Sequence, residues 1–366
     1  MIYTLLSSLF ENARGFAVFK YLTSRALIAF VTAFMISLAV GRPIINMLYR
    51  KGLRSFERSY GEVNSQKKTG TPMMGGIIIF ITGIGSVLMW CDLTNPFVLV
   101  LIAAAVWFAL FGAIDDFLKI KYRDPDSGLS RSFKFAVQIG FGLFLAFFVL
   151  NPDISPLPPE IANSFQIPFF KGILFNSTPF TAAFIVFIIV YSANAVNFAD
   201  GMDGLTTVPS ICVFIVLGTF AYIIGNIVHS QHLLYEYIPR CGEITVFCGA
   251  IIGAAIGFLW FNTHPAEVFM GDTGSLFLGG VMGTAAVLIR QEVVFIIAGA
   301  IFVIEITSTF VQEVVGFKFL KRRILYRAPI HHHFQHKGLA EAKVVTRFWI
   351  ISIMTAALAI MTIKFR

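Results

Sequence analysis

Apolar residues run on in this chain without alternating with polar ones. Mostly apolar stretches recur at 24–48, 73–92, 94–114, 132–150, 178–196, 206–225, 243–261, 275–289, 293–315 and 346–364. Stretches of roughly 18–25 such residues cross the hydrocarbon core of a bilayer as helices; 275–289 is the shortest of the set. The pattern predicts an all-α, polytopic integral membrane protein with about ten transmembrane helices. No Gly/Ser-rich linker or polar block divides the series and no internal repeat is visible, so residues 1–366 are expected to form a single transmembrane domain. The apolar start, Met1–Phe10, is short and lacks a basic leader, which argues against a cleaved signal peptide.

Composition agrees. The chain is 57% hydrophobic and only 13% charged, with 40 Phe, and its mean hydropathy is +0.79. A soluble domain has about twice that charged fraction, near 25%. Cysteines stand at 91, 212, 241 and 248 with no CxxC spacing, so neither a zinc site nor a disulfide framework is expected.

Charge orients the predicted bundle. Seventeen Lys and Arg fall in the connections at 49–72, 115–131 and 316–345, against seven on the other side. Cytoplasmic loops carry the excess of Lys and Arg. The rich side is therefore expected to be cytoplasmic, with both termini periplasmic. The net charge of +8 is concentrated on that face. It suits anionic headgroups and anionic soluble substrates, and equally it expresses topology alone.

Five polar segments interrupt the apolar pattern, and span counting puts all five on the cytoplasmic side, in the connections 49–72, 115–131, 197–205, 262–274 and 316–345. Asp115 and Asp116 close the third stretch; neighbours on a helix point about 100° apart, so the two carboxylates should serve different tasks. Asn197-Phe-Ala-Asp200-Gly201-Met-Asp203-Gly204 offers two carboxylates that could share a helical face, beside glycines that let backbone approach a ligand. A plain Asp-Gly turn is the simpler reading. Phe269-Met-Gly-Asp272-Thr-Gly-Ser275 precedes a span. Capping would explain Asp272 or Ser275, whereas the functional reading makes Asp272 a hard oxygen ligand for Mg²⁺, with Phe269 stacking on a base. Lys68-Thr-Gly-Thr-Pro72 resembles a phosphate-binding turn without the P-loop pattern. His331, His332 and His333 are consecutive and cannot all face one metal from a helix, so contacts to phosphate or sugar fit better than zinc. Glu305 lies within the ninth stretch. A carboxylate there costs roughly 2.5–3.5 kcal/mol on insertion scales and must face protein or water; a hydrogen bond to a neighbouring helix is expected. Carboxylates, a lysine and histidines on one surface point to metal-assisted phosphate chemistry.

In order and spacing these segments resemble one family. Lys68-x-Gly-Thr-Pro-x-Met-Gly-Gly76, Asp115-Asp-Phe-Leu-Lys119, Asn197-x-x-Asp-Gly-x-Asp-Gly-Leu205, Phe269-Met-Gly-Asp-x-Gly-Ser275, Pro329-Ile-His-His-His-Phe334 and Arg347-Phe-Trp-Ile-Ile-Ser352 look like the phospho-MurNAc-pentapeptide translocases. These belong to the polyprenyl-phosphate N-acetylhexosamine-1-phosphate transferases. The resemblance implies transfer of phospho-MurNAc-pentapeptide from UDP-MurNAc-pentapeptide to undecaprenyl phosphate, giving lipid I and UMP in peptidoglycan synthesis at the bacterial inner membrane, with Mg²⁺. It implies that Asp272 binds the metal, and that Asp115 and Asp116 orient or deprotonate the lipid phosphate. Asn197, Asp200, Gly201, Asp203, Asn262 and Phe269 would form the nucleoside pocket. Lys68, His331 and His332 would contact diphosphate or sugar, with His331 also a catalytic candidate. Three positions depart from the family pattern: Ser65 stands where His is expected, Met73 where Thr is, and Gln335 where Glu is. No nucleic-acid partner is expected, and the Phe-rich spans leave room for a homodimer interface or a groove for the polyprenyl tail. Two rivals remain. A GlcNAc-1-phosphate transferase would share the carboxylates but not the triple histidine. A secondary transporter would carry its acids near the midplane and show a repeat.

Overall fold

Inside a bilayer every backbone N–H and C=O must find its partner within the protein, so continuous apolar sequence folds as helix. The computed structural model describes residues 19–55, 70–124, 127–165, 167–168 and 175–365. Its main helices are α1 (Leu22–Arg50), α2 (Gly76–Trp90), α3 (Pro96–Tyr122), α4 (Arg131–Leu150), α5 (Thr178–Ala199), α6 (Thr207–Ile224), α7 (Glu243–Asn262), α8 (Gly271–Leu288), α9 (Glu292–Ala298), α10 (Ala300–Phe310), α11 (Ile330–His336) and α12 (Glu341–Met361). A two-stranded hairpin pairs Ser164 with Asn176. Among the described residues, eight helices are long and apolar enough to cross a membrane, and the protein is an all-α, multi-pass membrane protein.

Two of the ten predicted stretches fall outside those eight, for different reasons. Helix α2 is apolar but only 15 residues long. Helix α8 has 18 residues but is rich in Gly, Thr and Ser, and every residue from Thr273 to Leu288 is buried. It is the axis of the bundle, packed by α2, α3 and α5. Protein rather than lipid surrounds it, so small residues that admit close neighbours replace bulky apolar ones. A Cβ on Gly280 would sit 2.1 Å from the Phe108 ring.

Three boundaries differ from expectation. Helix α3 continues to Tyr122, so Asp115 and Asp116 lie inside a helix rather than at its C-terminus. Helix α5 stops at Ala199 and α6 begins at Thr207, so Asp200 and Asp203 sit in the connecting turns and share no helical face. The ninth stretch is interrupted at Gly299 between α9 and α10, and runs on from α10 as a π-helix, Val311–Phe319. The C-terminal halves of α3 and α5 and the N-terminus of α8 meet at one end of the bundle.

Candidate active site

The centre is built where α3, α4, α5 and α8 meet. The i,i+4 spacing on α3 sets Lys119 beside Asp115, with Nζ 2.7 Å from Oδ2. Lys134, from the first turn of α4, reaches the same oxygen at 2.7 Å. Both ammonium groups also meet Oδ2 of Asp272, at 3.0 Å from Lys119 and 3.1 Å from Lys134. Asn197 of α5 donates from Nδ2 to Oδ1 of Asp272 at 3.0 Å and to Ser275 at 2.9 Å. Asp115 Oδ1 accepts from the Leu129 N–H. Asp115 and Lys134 stand in a mainly apolar slot lined also by Phe108, Phe111, Leu129, Val137, Gln138 and Leu276.

Asp116 does something else, as the helical offset of adjacent residues requires. Its Oδ1 accepts from the Asp272 N–H at 3.0 Å; its Oδ2 accepts from the Thr273 N–H at 2.9 Å and from Thr273 Oγ1 at 2.6 Å. The first N–H groups of a helix lack intrahelical acceptors. Here a carboxylate from α3 supplies them to α8, where the macrodipole also favours negative charge. Gly271, at φ +72°, permits the approach; a Cβ there would lie 2.5 Å from Asp116 Oδ2. The capping expected within the Gly-Asp-Thr-Gly-Ser segment is thus performed by an acid from another helix, which leaves the Asp272 side chain turned toward the lysines.

A second group surrounds the 200–206 turns. Asp203 is buried. Its Oδ2 lies 3.0 Å from His264 Nδ1 and accepts from the Ala266 N–H, and its own N–H donates to Glu341 Oε1. Asp203, His264 and Glu341 bring ligand atoms close enough to hold a metal ion. Asn262 is engaged at both ends of its amide, accepting from the Gly204 N–H and donating to the Val268 carbonyl. Phe269 is half-buried, and its backbone pairs with the Pro72–Gly76 segment: its N–H donates to Pro72 O, and its carbonyl accepts from Gly75 N–H. Asp200 and Gly201 follow directly on α5 and are half-buried.

The histidines occupy α11 and diverge, as consecutive helical residues must. His331 is buried and meets Glu305 Oε2 through Nδ1 at 2.9 Å. His332 faces Gln335, one of the positions that departs from the family pattern. His333 stacks on Tyr326 and accepts its N–H through Nδ1. Partial burial and the charges of Lys337 and His336 hold the His333 imidazole below its usual range, in keeping with that acceptor role. Lys68 and Ser65 lie outside the described residues. The structure therefore joins Asp115, Asp116, Asn197 and Asp272 in one cluster, and places Gly201 against His331. Lys119 and Lys134 were not singled out from sequence as site residues. Lys119 had a signal in its i,i+4 position after Asp115, whereas Lys134 had none, since only the packing of α4 brings it in.

Comparison with known proteins agrees with the pattern. Residues 98–290 match the model of glycosyl transferase family 4. Over 367 residues, covering 100% of both chains, the sequence is 42% identical to the phospho-N-acetylmuramoyl-pentapeptide-transferase of Pelagibacter ubique (strain HTCC1062). With identity at that level along its entire length, this chain belongs to the phospho-N-acetylmuramoyl-pentapeptide-transferase family.

Proposed function

We propose that this enzyme, a phosphotransferase, moves phospho-MurNAc-pentapeptide from UDP-MurNAc-pentapeptide to undecaprenyl phosphate, forming lipid I and UMP on the cytoplasmic side of the bacterial inner membrane. One observation supports the reading: Asp115 and Asp272, from two helices, converge on Lys119 and Lys134 at the head of α8, whose first turn Asp116 holds. The five connections act as one site within a single domain.

The donor set suits Mg²⁺. Asp115 and Asp272 direct one oxygen each toward the same two ammonium groups, so hard oxygen donors already converge on a place that holds positive charge, and Mg²⁺ takes one or two carboxylates plus substrate phosphates. Asp272, with Asp115 beside it, would hold the ion. When bound, the metal would neutralise charge on the diphosphate. An oxygen of the acceptor phosphate forms a bond to the sugar-linked phosphorus. The bond from that phosphorus to the bridging oxygen breaks, and UMP leaves with the electron pair. Lys119 and Lys134 hold the phosphates in line, since such transfer relies on positioning and charge. Asp115 and Lys134 stand in a mainly apolar slot, which lets an acceptor phosphate meet charge while its hydrocarbon stays in mainly apolar surroundings. Asp116 acts through Asp272, whose backbone it fixes. Asn197, Asp200, Gly201, Asp203, Asn262 and Phe269 shape the nucleoside side, with Phe269 stacking on uracil. Lys68, His331 and His332 meet diphosphate or sugar.

The test is UMP release by detergent-purified protein given undecaprenyl phosphate and Mg²⁺, with UDP-MurNAc-pentapeptide and UDP-GlcNAc offered in parallel and EDTA as control. Release from the first alone, lost in EDTA, is the expected result. Release from UDP-GlcNAc moves the protein to the sister activity. No release from either, in folded protein, reopens transport.

A further inference from the structure

Helix α10 carries a polar stripe through an apolar span. Glu305, Ser308 and Thr309 stand at i, i+3 and i+4, one face of a helix, Gln312 follows in the π-helix that continues α10, and all four are buried. The stripe receives the histidine segment. Ser308 Oγ accepts from the Ile330 N–H at 3.0 Å, and Gln312 Oε1 accepts from the Leu325 N–H at 2.8 Å. Neutral side chains thus suffice to dock this segment. Glu305 is different: it is fully buried, and its Oε2 meets one group, Nδ1 of His331.

A carboxylate can only accept, so its partner nitrogen carries the proton, and the hydrogen bond at Nδ1 decides the role left to Nε2. Among the described residues, Nε2 of His331 has no hydrogen-bond partner, although the ring is 1% exposed. It is aimed at Gly201, where a Cβ would lie 2.1 Å from it. An orphaned buried nitrogen therefore points into a space that only glycine leaves open, in the turn between Asn197 and Asp203.

We infer that Glu305 is a positioning residue: by accepting from Nδ1–H it fixes the His331 ring so that Nε2 faces the Gly201 turn and the UDP-sugar held there. The inference rests on the proposed function and adds to it a residue that touches no substrate. Behind a metal-ligating histidine, loss of such a carboxylate partner costs about 10–100-fold in activity, and the same positioning role is expected to show an effect of that size here.

The experiment is a double-mutant cycle on the full-length enzyme in detergent, read as kcat/KM for UMP release. Glu305→Ala and His331→Ala are each expected to lower kcat/KM by about 10–100-fold, and the double variant by no more than about twofold beyond the worse single, since residues acting as one unit do not add. Glu305→Gln, whose amide oxygen still accepts from Nδ1–H, should recover most of the loss. Multiplicative losses in the double variant, or Glu305→Gln no better than Glu305→Ala, would overturn the inference. Should Glu305→Ala fail to insert, Glu305→Asp keeps the charge and withdraws the acceptor by one methylene. It should cost at least about tenfold beside His331 and under about twofold in His331→Ala; equal losses in both backgrounds count against positioning. A wild-type enzyme that releases no UMP defeats the functional reading instead, so the two failures are told apart.

Discussion

Charged side chains are buried at both ends of the helix bundle, but they are arranged differently. Away from the carboxylate cluster, Arg25 is paired with Glu243, with Nη1 to Oε2 at 3.0 Å. Arg290 is paired with Glu292 at 2.6 Å, both side chains 1% exposed, and Arg290 also donates to the carbonyl of Ser164 in the hairpin. Each acid there has its own base, and the sums are zero. At the head of α8, by contrast, Asp115 and Asp272 share Lys119 and Lys134 while Asp116 accepts from the first turn of α8, so among the described residues three carboxylates stand beside two ammonium groups. Those lysines stay 19% and 26% exposed. The same chemical groups thus build two devices. Matched, sealed pairs fasten helices together, because a buried charge without its partner is intolerable. A cluster whose lysines stay partly exposed is open to water and ligands.

That contrast can be broken experimentally. Asp272→Ala should give the largest effect, lowering turnover by about 10³-fold while the protein still inserts, as expected when several kcal/mol of charge stabilisation is lost. Retained Mg²⁺-dependent release of UMP in this variant would take Asp272 out of the metal site. At the other end, Arg290→Met should cost about 3–5 kcal/mol of stability, read as a lower Tm in detergent, with the KM for UDP-sugar unchanged. A shifted KM at unchanged Tm would erase the distinction between the ends. Lys134→Met should reduce kcat/KM by about 10–100-fold, the size of about 1.4–2.7 kcal/mol of phosphate stabilisation, without a matching fall in Tm. Phe269→Ala should weaken UDP-sugar binding by roughly 1–3 kcal/mol if its ring stacks on the base; an unchanged dissociation constant would remove that role.

Much of this was legible from sequence because membrane helices announce themselves by composition, and because the motif residues stand at span ends. The separate tasks of Asp115 and Asp116 followed from helical geometry, and their side chains do turn to different partners. What stayed hidden came from tertiary packing. Nothing in the sequence near Lys134 links it to Asp272, 138 residues away. The continuation of α3 past Asp116 was missed because charged residues look like a span end, whereas protein on several sides makes polar helix tolerable. Glu305 was expected to bond a neighbouring helix; that the partner is one of the three histidines needed the fold.

The low hydropathy of α8 bears on how the protein comes to be in the membrane. A segment rich in Gly, Ser and Thr gains little from leaving a translocation channel for lipid by itself. Its neighbours α2, α3 and α5 precede it in the chain and have already been synthesised when it emerges, so they can receive it into a prepared crevice. The helix that bears Asp272 therefore follows the three that frame it. On that account a truncated chain ending before Gly271 should insert stably and carry no activity.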